Sequence, residues 1–408
     1  MRCVVIGGGA AGFFAAIQCA TASQDSKIII FEKSPRVLAK VLISGGGRCN
    51  VTNACFEQKK LVTHYPRGNR ELIGPFHAWG PSDTVSWFTE RGVPLKTERD
   101  DRMFPESDSS ESVANCLLDE AEKLGIQVHK RMGIKGITKN SDETFTLKLS
   151  DDNEVICDKV LIATGGSQGS GGHSLAKSLG HTIMPLVPSL FTFNIKDSRL
   201  DGMQGVSVPQ ATVSIPGTKL IQKGPLLITH WGLSGPAVLK LSAWGARVLH
   251  EKSYQFDFKV NWLEDKTYAS VLEELGKQKE LLARKRIVTT RQYDLPQRLW
   301  ERFIKAAGCD DQLKWAEMSK KSLTTLAREL TEGVYKVDGK STFKDEFVTC
   351  GGVKLSEVNF KTMESKKCPG LHFAGEVLDI DGVTGGFNFQ SAWTTGVLAG
   401  RAMANSVG

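Results

Sequence analysis

The tightest constraint on this chain lies in its first dozen residues. Met1-Arg-Cys-Val-Val-Ile-Gly-Gly-Gly-Ala-Ala-Gly12 runs an apolar, β-branched strand directly into Gly-x-Gly-x-x-Gly, with glycines at Gly7, Gly9 and Gly12. In that context Gly7 permits a tight turn, Gly9 lets backbone approach a pyrophosphate, and Gly12 lets the following helix close on the strand. The helix N-terminus then aims its free N–H groups at phosphates. A helix pattern follows over Phe13–Ala22, and a second strand, Lys27–Phe31, ends in Glu32. Glu32 lies where a carboxylate accepts both hydroxyls of an adenosine ribose. The chain therefore starts as a β-α-β dinucleotide unit; the bland alternative is a glycine-rich turn in some other α/β protein.

Length then sets the number of domains. At 408 residues the chain exceeds one typical core, so two or three domains are expected. Hydrophobic residues make up 40% and charged residues 24%, a globular mix. No apolar run is long enough to span a bilayer. The first residues are already a strand, so no cleavable signal peptide is expected and the cytoplasm is the expected location. The nine cysteines form no Cys-x-x-Cys pair and no zinc-spaced cluster with histidine, so no metal site is expected. Scattered reduced thiols fit a cytosolic enzyme. The net charge of +7 suits an anionic ligand or nucleic acid. The basic residues are dispersed, however, and Lys277–Arg286 has the pattern of a solvated helix face. With no RNA-binding signature present, a small-molecule substrate is expected rather than a nucleic acid.

Beyond Glu32 comes a polar, glycine-rich stretch to Asn53, then helix patterns near Ser82–Arg91 and Ser110–Leu124. Ile126–Arg131 has strand character; Gly136–Thr138, Thr144–Ser150 and Glu154–Cys157 suggest an antiparallel meander. Lys159–Gly166 is a further strand entering a glycine turn. From Leu190 the texture changes. Phe191–Ile195, Ala211–Ile215, Thr218–Ile221 and Tyr254–Val260 alternate like strands, whereas Tyr268–Gly276, Pro296–Ala307 and Leu313–Glu332 follow the helical period. Strands return at Gly333–Val337 and Glu346–Cys350. Leu371–Gly375 and a helix over Phe389–Ala404 again resemble nucleotide-fold material. The expected architecture is α/β: a Rossmann-like domain built from both chain ends (1–190 and 345–408), an inserted β-rich barrel (191–262 and 333–344) and an inserted helical domain (263–332).

Four further motifs carry chemistry. Ser44-Gly-Gly-Gly-Arg-Cys-Asn-Val-Thr-Asn53 exposes successive backbone N–H groups in an anion-binding nest. Arg48 adds a fork suited to phosphate, and Asn50, Thr52 and Asn53 offer bonds to a ribityl chain or a ring edge. Cys49 is read as a small packing residue. Ile162-Ala-Thr-Gly-Gly166, with Thr164 and Gly165, ends a strand where two-dinucleotide and flavin folds pass close to the cofactor. Gly169-Ser-Gly171 lacks the context of a second dinucleotide site. Phe373-Ala-Gly-Glu-Val-Leu-Asp-Ile-Asp-Gly-Val-Thr-Gly-Gly-Phe-Asn-Phe-Gln390 leads into the last helix. There Gly385 and Gly386 allow backbone contact with a ring, and the positive helix end would stabilise an anionic reduced flavin. That nest and this glycine–helix element favour FAD over NAD as the bound cofactor. Thr229-His-Trp-Gly-Leu-Ser-Gly-Pro236 starts a helix with Ser234 near its cap, and His230 is a candidate proton donor or substrate-orienting group. The alternative for His230 is a capped turn with a packing role.

Taken together these motifs resemble the BaiN-like flavoproteins, a family that includes aminoacetone oxidases. The most specific matches are Ser44–Asn53, the His-x-Gly-Leu-Ser-Gly-Pro run at His230, Thr362-Met-Glu-Ser365, and Gly375-Glu-Val-Leu-Asp379 through Gln390. The resemblance implies an FAD-dependent oxidoreductase with a Rossmann-like domain, an inserted barrel and an inserted helical domain. It implies FAD contacts at Gly7, Gly9, Ala10, Ala11, Gly12, Glu32, Lys33, Lys40, Ser44, Gly45, Gly46, Gly47, Arg48, Cys49, Asn50, Ile134, Gly375, Glu376, Gly386, Phe387 and Asn388. Many relatives carry a proline and a Thr-Gly pair after the Ala-Thr-Gly-Gly turn; here the run is Ser167-Gln-Gly-Ser-Gly-Gly-His173.

The resulting expectation is hydride transfer through flavin N5, with NAD(P)H reducing the flavin and an unsaturated or carbonyl small molecule accepting the electrons. The inserted domains would cover the ring and form the substrate pocket. Rival readings are an amine oxidase using O2, an RNA-associated flavoprotein, and a flavin-binding protein without turnover.

Overall fold

The computed structural model describes residues 1–167, 169, 171–341 and 348–405. The expected domain boundary at 344/345, Glu346 and Phe347 of the expected Glu346–Cys350 strand, and Gln168 and Ser170 of the loop after the Ala-Thr-Gly-Gly turn lie outside the described residues. The chain forms two compact units, Met1–Val187 with Val348–Gly408, and Pro188–Phe347.

The first unit is built on a seven-stranded sheet. Its order is Val358–Asn359, Glu364–Ser365, Leu371–Phe373, Lys159–Ile162, Arg2–Ile6, Lys27–Phe31 and Gln127–His129. The last five strands are parallel, and the first two form an antiparallel hairpin on one edge. Val4, Val5, Ile28, Ile29 and Ile30 are buried on both sheet faces, the unbroken apolar run of a parallel strand covered on both sides. Helices Ala10–Ala22 and Phe387–Ala404 pack together because two glycines of the last helix remove the side chains between them. A Cβ on Gly400 would stand 2.2 Å from Ala15 O, and one on Gly396 would stand 2.8 Å from Ala11 O. Both chain ends thus fold into one unit. The meander forms as Ile134–Lys139, Phe145–Leu149 and Glu154–Cys157, all antiparallel. A small sheet of Thr52–Asn53, Arg102–Pro105 and Leu95–Thr97 escaped the sequence reading, its strands being two to four residues long.

The second unit holds another seven-stranded sheet. Its order is Gly333–Asp338, Gln255–Asn261, Ser207–Ser214, Ile221–Ile228, Gly232–Ser234, Thr192–Asn194 and Lys340–Ser341. The two outermost strands are consecutive in the chain, joined through Gly339, so the sheet curls back on itself as a small barrel. Helices Pro236–Glu251, Tyr268–Leu281, Gln297–Ala306 and Lys320–Glu332 share one apolar core with it, including Phe193, Leu241, Phe258, Trp300, Phe303, Leu326 and Tyr335.

Three local expectations are corrected. Thr218 and its neighbours form a turn, with Thr218 N–H donating to Ile215 O (3.2 Å) and Gly217 at φ +76°. The strand begins at Ile221 and continues to Ile228; Gly224 and Pro225 hid it in the sequence. The helix expected over Leu313–Glu332 starts at Lys320, where the Ser319 hydroxyl accepts from Ser322 N–H (3.0 Å). Helix Tyr268–Leu281 stops before Arg284–Arg286, which are therefore not on a helix face.

Candidate functional site

The parallel strands of the first unit end in register. Ile6 lies beside Phe31 and Ile162, Phe31 beside His129, and Ile162 beside Phe373. That common carboxyl edge is where ligands bind in open α/β sheets. Residues singled out in the sequence sit at four of these strand ends: Gly7 and Glu32 follow directly, and Thr164 and Gly375 come one residue later. Gly7 (φ +113°) turns the chain so closely under its neighbour that a Cβ would meet Ala163 O at 2.5 Å. A Cβ on Gly12 would stand 2.0 Å from Gly7 O, so this position holds helix Ala10–Ala22 against the turn. Gly9 is the helix N-cap with no side-chain cap, and a Cβ there meets nothing within 4 Å. Glu32 is fixed from two sides: its Oε2 accepts from Gly8 N–H (2.8 Å), and its Oε1 from Ser34 N–H (2.8 Å) and Ser34 Oγ (2.7 Å). Ile134 opens the meander just after Gly133, which abuts the Lys33 side chain. Exposed Lys33 donates to Gly169 O.

The Ser44–Asn53 segment lies against the start of the last helix. Gly45, Gly46 and Gly47 are all left-handed (φ +57°, +70° and +85°), and a Cβ on Gly46 or Gly47 meets nothing within 4 Å. Such a succession turns N–H groups toward a common concavity. The segment is tied down by Asn50, whose amide donates to Thr52 O (2.9 Å) and accepts from Gly386 N–H (2.8 Å). Asn53 Nδ2 donates to Gly385 O (3.0 Å), Thr52 Oγ1 to Gln390 Oε1 (2.6 Å), and Trp393 Nε1 to Val51 O (2.9 Å). Gly386 (φ +92°) caps helix Phe387–Ala404, and a Cβ there would stand 2.3 Å from Thr52 O. Asn50, Thr52 and Asn53 therefore hold the two segments together, a task their sequence pattern alone did not reveal.

Arg48 differs from its expected role. Its guanidinium donates to Glu98 Oε1 (2.6 Å), lies 3.5 Å from Asp108 Oδ1 and stacks 4.0 Å over the Phe104 ring. It ties the glycine turn to the small sheet instead of standing ready for phosphate. Cys49 is fully buried, and burial pushes its thiol up to about 12, so it packs and does not react.

Lys40 Nζ meets Glu376 Oε2 at 2.6 Å. Gly375 N–H donates to Thr395 Oγ1 (2.9 Å). Asn388 bridges the loop before it, accepting from Gly382 N–H (2.8 Å) and donating to Gly382 O (2.9 Å). Thr164 Oγ1 is buried without a hydrogen-bond partner, close to Gly172, and Gly165 is left-handed at φ +77°. An open nest, an uncapped helix N-terminus, a braced carboxylate and an orphaned hydroxyl on one sheet edge suit the phosphates, ribose and polar edge of FAD.

Some contributors were missed. Fully buried Asp381 forms an ion pair with Arg67 through both carboxylate oxygens. His64 stacks on Phe387 (centroids 4.2 Å, 9°), and Tyr65 OH donates to Phe387 O (2.6 Å). This buckle fastens His64–Arg67 to the loop before the last helix; more than 300 residues separate its partners, so no local pattern announces it. Thr362-Met-Glu-Ser365 proves structural. Ser365 Oγ accepts from Lys367 and Cys368 N–H (3.0 and 2.8 Å) and meets His181 Nε2 at 2.8 Å, closing the sheet-edge hairpin.

His230 belongs to the second unit and is exposed. It sits in a pinned turn: Thr229 N–H donates to Gly232 O (2.8 Å), and Ile195 N–H to Trp231 O (2.9 Å). The following helix is capped by Gly235 without a side-chain bond, and Ser234, next to that cap as expected, pairs with Thr192 (2.7 Å). Among the described residues no helix is long and apolar enough to cross a membrane.

Comparison with known proteins adds the following. A family model described as the HI0933-like protein Rossmann domain matches residues 1–402. The chain is 29% identical over 415 residues to a 3-dehydro-bile acid delta(4,6)-reductase of Clostridium scindens, covering 99% of each. It is 31% identical over 402 residues to a ribosomal RNA dihydrouridine synthase of Escherichia coli, covering 96% of this chain and 95% of that one. Among solved structures, a 3-ketosteroid-delta4-(5alpha)-dehydrogenase from Rhodococcus jostii aligns with TM-score 0.52 at 15% identity, over 99% of this chain and 96% of that one. An open-conformation flavocytochrome c3 fumarate reductase aligns with TM-score 0.51 at 17% identity, over 99% and 78%. At such identities the structural likeness speaks for the fold.

Proposed function

The chain belongs to the HI0933-like family and is an FAD-dependent oxidoreductase; from that premise we propose that it adds two hydrogens across a ring carbon–carbon double bond conjugated to a carbonyl. The observation that carries this reading is the convergence of Gly7–Gly12, Glu32, the Gly45–Gly47 nest and Gly385–Asn388 in one unit. The two relatives' names describe different molecules but one bond type. A 3-dehydro delta(4,6) steroid and the uracil of uridine each hold a ring C=C conjugated to a carbonyl, and reduction of that bond needs a hydride and a proton.

FAD, when bound, supplies the hydride carrier. The chain's own residues bind and orient it. Gly9 and the N–H groups beyond it would hold the pyrophosphate, and Glu32 would accept the ribose hydroxyls. The N-terminus of helix Phe387–Ala404 would offer positive partial charge to the flavin's pyrimidine edge. Lys33, Lys40, Glu376, Ile134, Thr164 and Gly165 would help to hold the cofactor. His230 is the candidate proton donor. NAD(P)H is the candidate reductant, without a second Rossmann domain.

The test is anaerobic. The yellow protein is mixed with NADH or NADPH, then with a ring enone or a uridine-containing RNA. Bleaching by the nicotinamide and a product two mass units heavier than the acceptor support the reading. Bleaching by amines alone, with recovery in O2, would replace it with the oxidase reading. A second substrate class, uracil within RNA, is favoured over a free enone by the second unit's distribution of charge.

A further inference from the structure

The second unit carries 25 Lys and Arg against 19 Asp and Glu, whereas the first carries 27 against 26. The positive surplus therefore belongs almost wholly to the second. Within it, pairing is uneven. Arg199, Lys223, Lys259, Lys266 and Lys277 each meet a carboxylate. Residues 283–291, Ala-Arg-Lys-Arg-Ile-Val-Thr-Thr-Arg, hold four cations and no acid.

The fold lays this stretch beside residues 313–316, which add Lys314. Ala316 N–H donates to Ala283 O, Trp315 N–H to Lys285 O and Ile287 N–H to Leu313 O, each at 3.1 Å, and Arg286 bridges Lys314 in antiparallel sense. Arg284, Lys285, Arg286, Arg291 and Lys314 are all exposed. Among the described residues none of the five forms an ion pair; Arg286 donates to the Gln312 amide oxygen (3.1 Å). The acids nearest in sequence, Glu280, Asp294, Asp310, Asp311 and Glu317, form no ion pair with these five cations among the described residues. Asp310 accepts from Gln312 N–H (2.8 Å), Glu317 from Lys314 N–H (3.0 Å), Asp311 lies 3.9 Å from Lys305, and Glu280 is still on the helix.

Arg284, Lys285, Arg286 and Lys314 on this ladder, with Arg291 four residues beyond Ile287, repel one another and raise a local positive potential that a polyanion relieves. Three of the five are arginines, whose planar fork matches phosphate oxygens. We propose that this ladder docks the phosphate backbone of an RNA whose uracil is reduced. The proposal rests on the RNA reading of the function given above.

The test compares wild type with Arg284→Gln/Lys285→Gln/Arg286→Gln/Lys314→Gln. An equal-charge control, Lys59→Gln/Lys130→Gln/Lys177→Gln/Lys361→Gln, removes exposed lysines of the first unit. A fluorescein-labelled, uridine-rich RNA hairpin is titrated against each holoprotein between about 50 and 200 mM salt. The ladder variant is expected to lose roughly tenfold or more in affinity at the lower salt, and to flatten the log–log salt slope by about one per contact removed. It keeps the flavin spectrum and nicotinamide bleaching, while the control changes affinity less than about threefold. Equal losses in both variants, no loss in the ladder variant, or binding to phosphatidylserine vesicles but not RNA would overturn the proposal. Binding is read from the RNA label, so a colourless protein would refute the flavin reading without obscuring this result.

Discussion

The two units of this chain solve different problems with different residues. In the first, the critical positions are glycines: Gly12 under Gly7, Gly386 under Thr52, Gly400 under Ala15, each where a Cβ would stand within 2.3 Å of a carbonyl oxygen. Its surface charge is nearly balanced, and three of its histidines, His173, His181 and His372, are buried. In the second unit a continuous apolar core joins sheet and helices, the surplus of positive charge sits outside, and both histidines, His230 and His250, are exposed. Binding geometry resides in backbone on one side, and surface chemistry in side chains on the other. The difference teaches where substitution should be felt: the first unit answers to shape and burial, the second to charge.

The largest expected effect strikes the first unit's buckle. Arg67→Ala leaves the buried Asp381 carboxylate without its guanidinium, which typically costs about 3–5 kcal/mol. Urea unfolding checks it; a change below about 1 kcal/mol would mean the pair is dispensable. Next comes acid. Burial holds His372 down to about 4, and burial also lowers His173 and His181. The folded state keeps these rings neutral while the unfolded chain protonates them near 6.5, so below that pH the unfolded state binds more protons. Stability is then fully present above about pH 6.5 and falls as pH drops toward 4, by about 3 kcal/mol for His372. His372→Gln should flatten that slope in urea titrations at a series of pH values.

Smaller effects sharpen the contrast. Gly47→Ala strains a left-handed residue by about 1–2 kcal/mol but meets no neighbour. It should weaken FAD binding more than it lowers the melting point, and equal losses would argue that the nest is only structural. Glu98→Gln with Asp108→Asn releases Arg48 from its acids. If Arg48 acts by tethering the nest, FAD affinity falls by about threefold to tenfold, a loss of about 1 kcal/mol; a gain would restore Arg48 as a phosphate ligand.

How much of this was legible in the sequence follows from the same contrast. A glycine fingerprint is a local pattern because its constraint is local, so Gly7–Gly12, Glu32 and the terminal Gly385–Gly386 element could be placed in one unit before any coordinates. Arg48 illustrates the limit. Its neighbours in sequence suggest a phosphate ligand, whereas its partners, Glu98 and Asp108, lie 50 and 60 residues away. The Arg67–Asp381 buckle was invisible for the same reason. In the second unit the helical period extended past its true start because Leu313 and Trp315 keep the apolar spacing while pairing with residues 285–287. Only the Ser319 cap marks the real beginning of that helix.

The central claim is that the first unit holds one FAD against its strand ends and glycine turns. Fluorescence titration of FAD into the purified protein, after release of any bound flavin, addresses it directly. Saturable quenching at one FAD per chain, lost in Gly12→Val, is the predicted result. A colourless protein that takes up no added FAD, or one that binds it equally well with Val at position 12, would contradict the account.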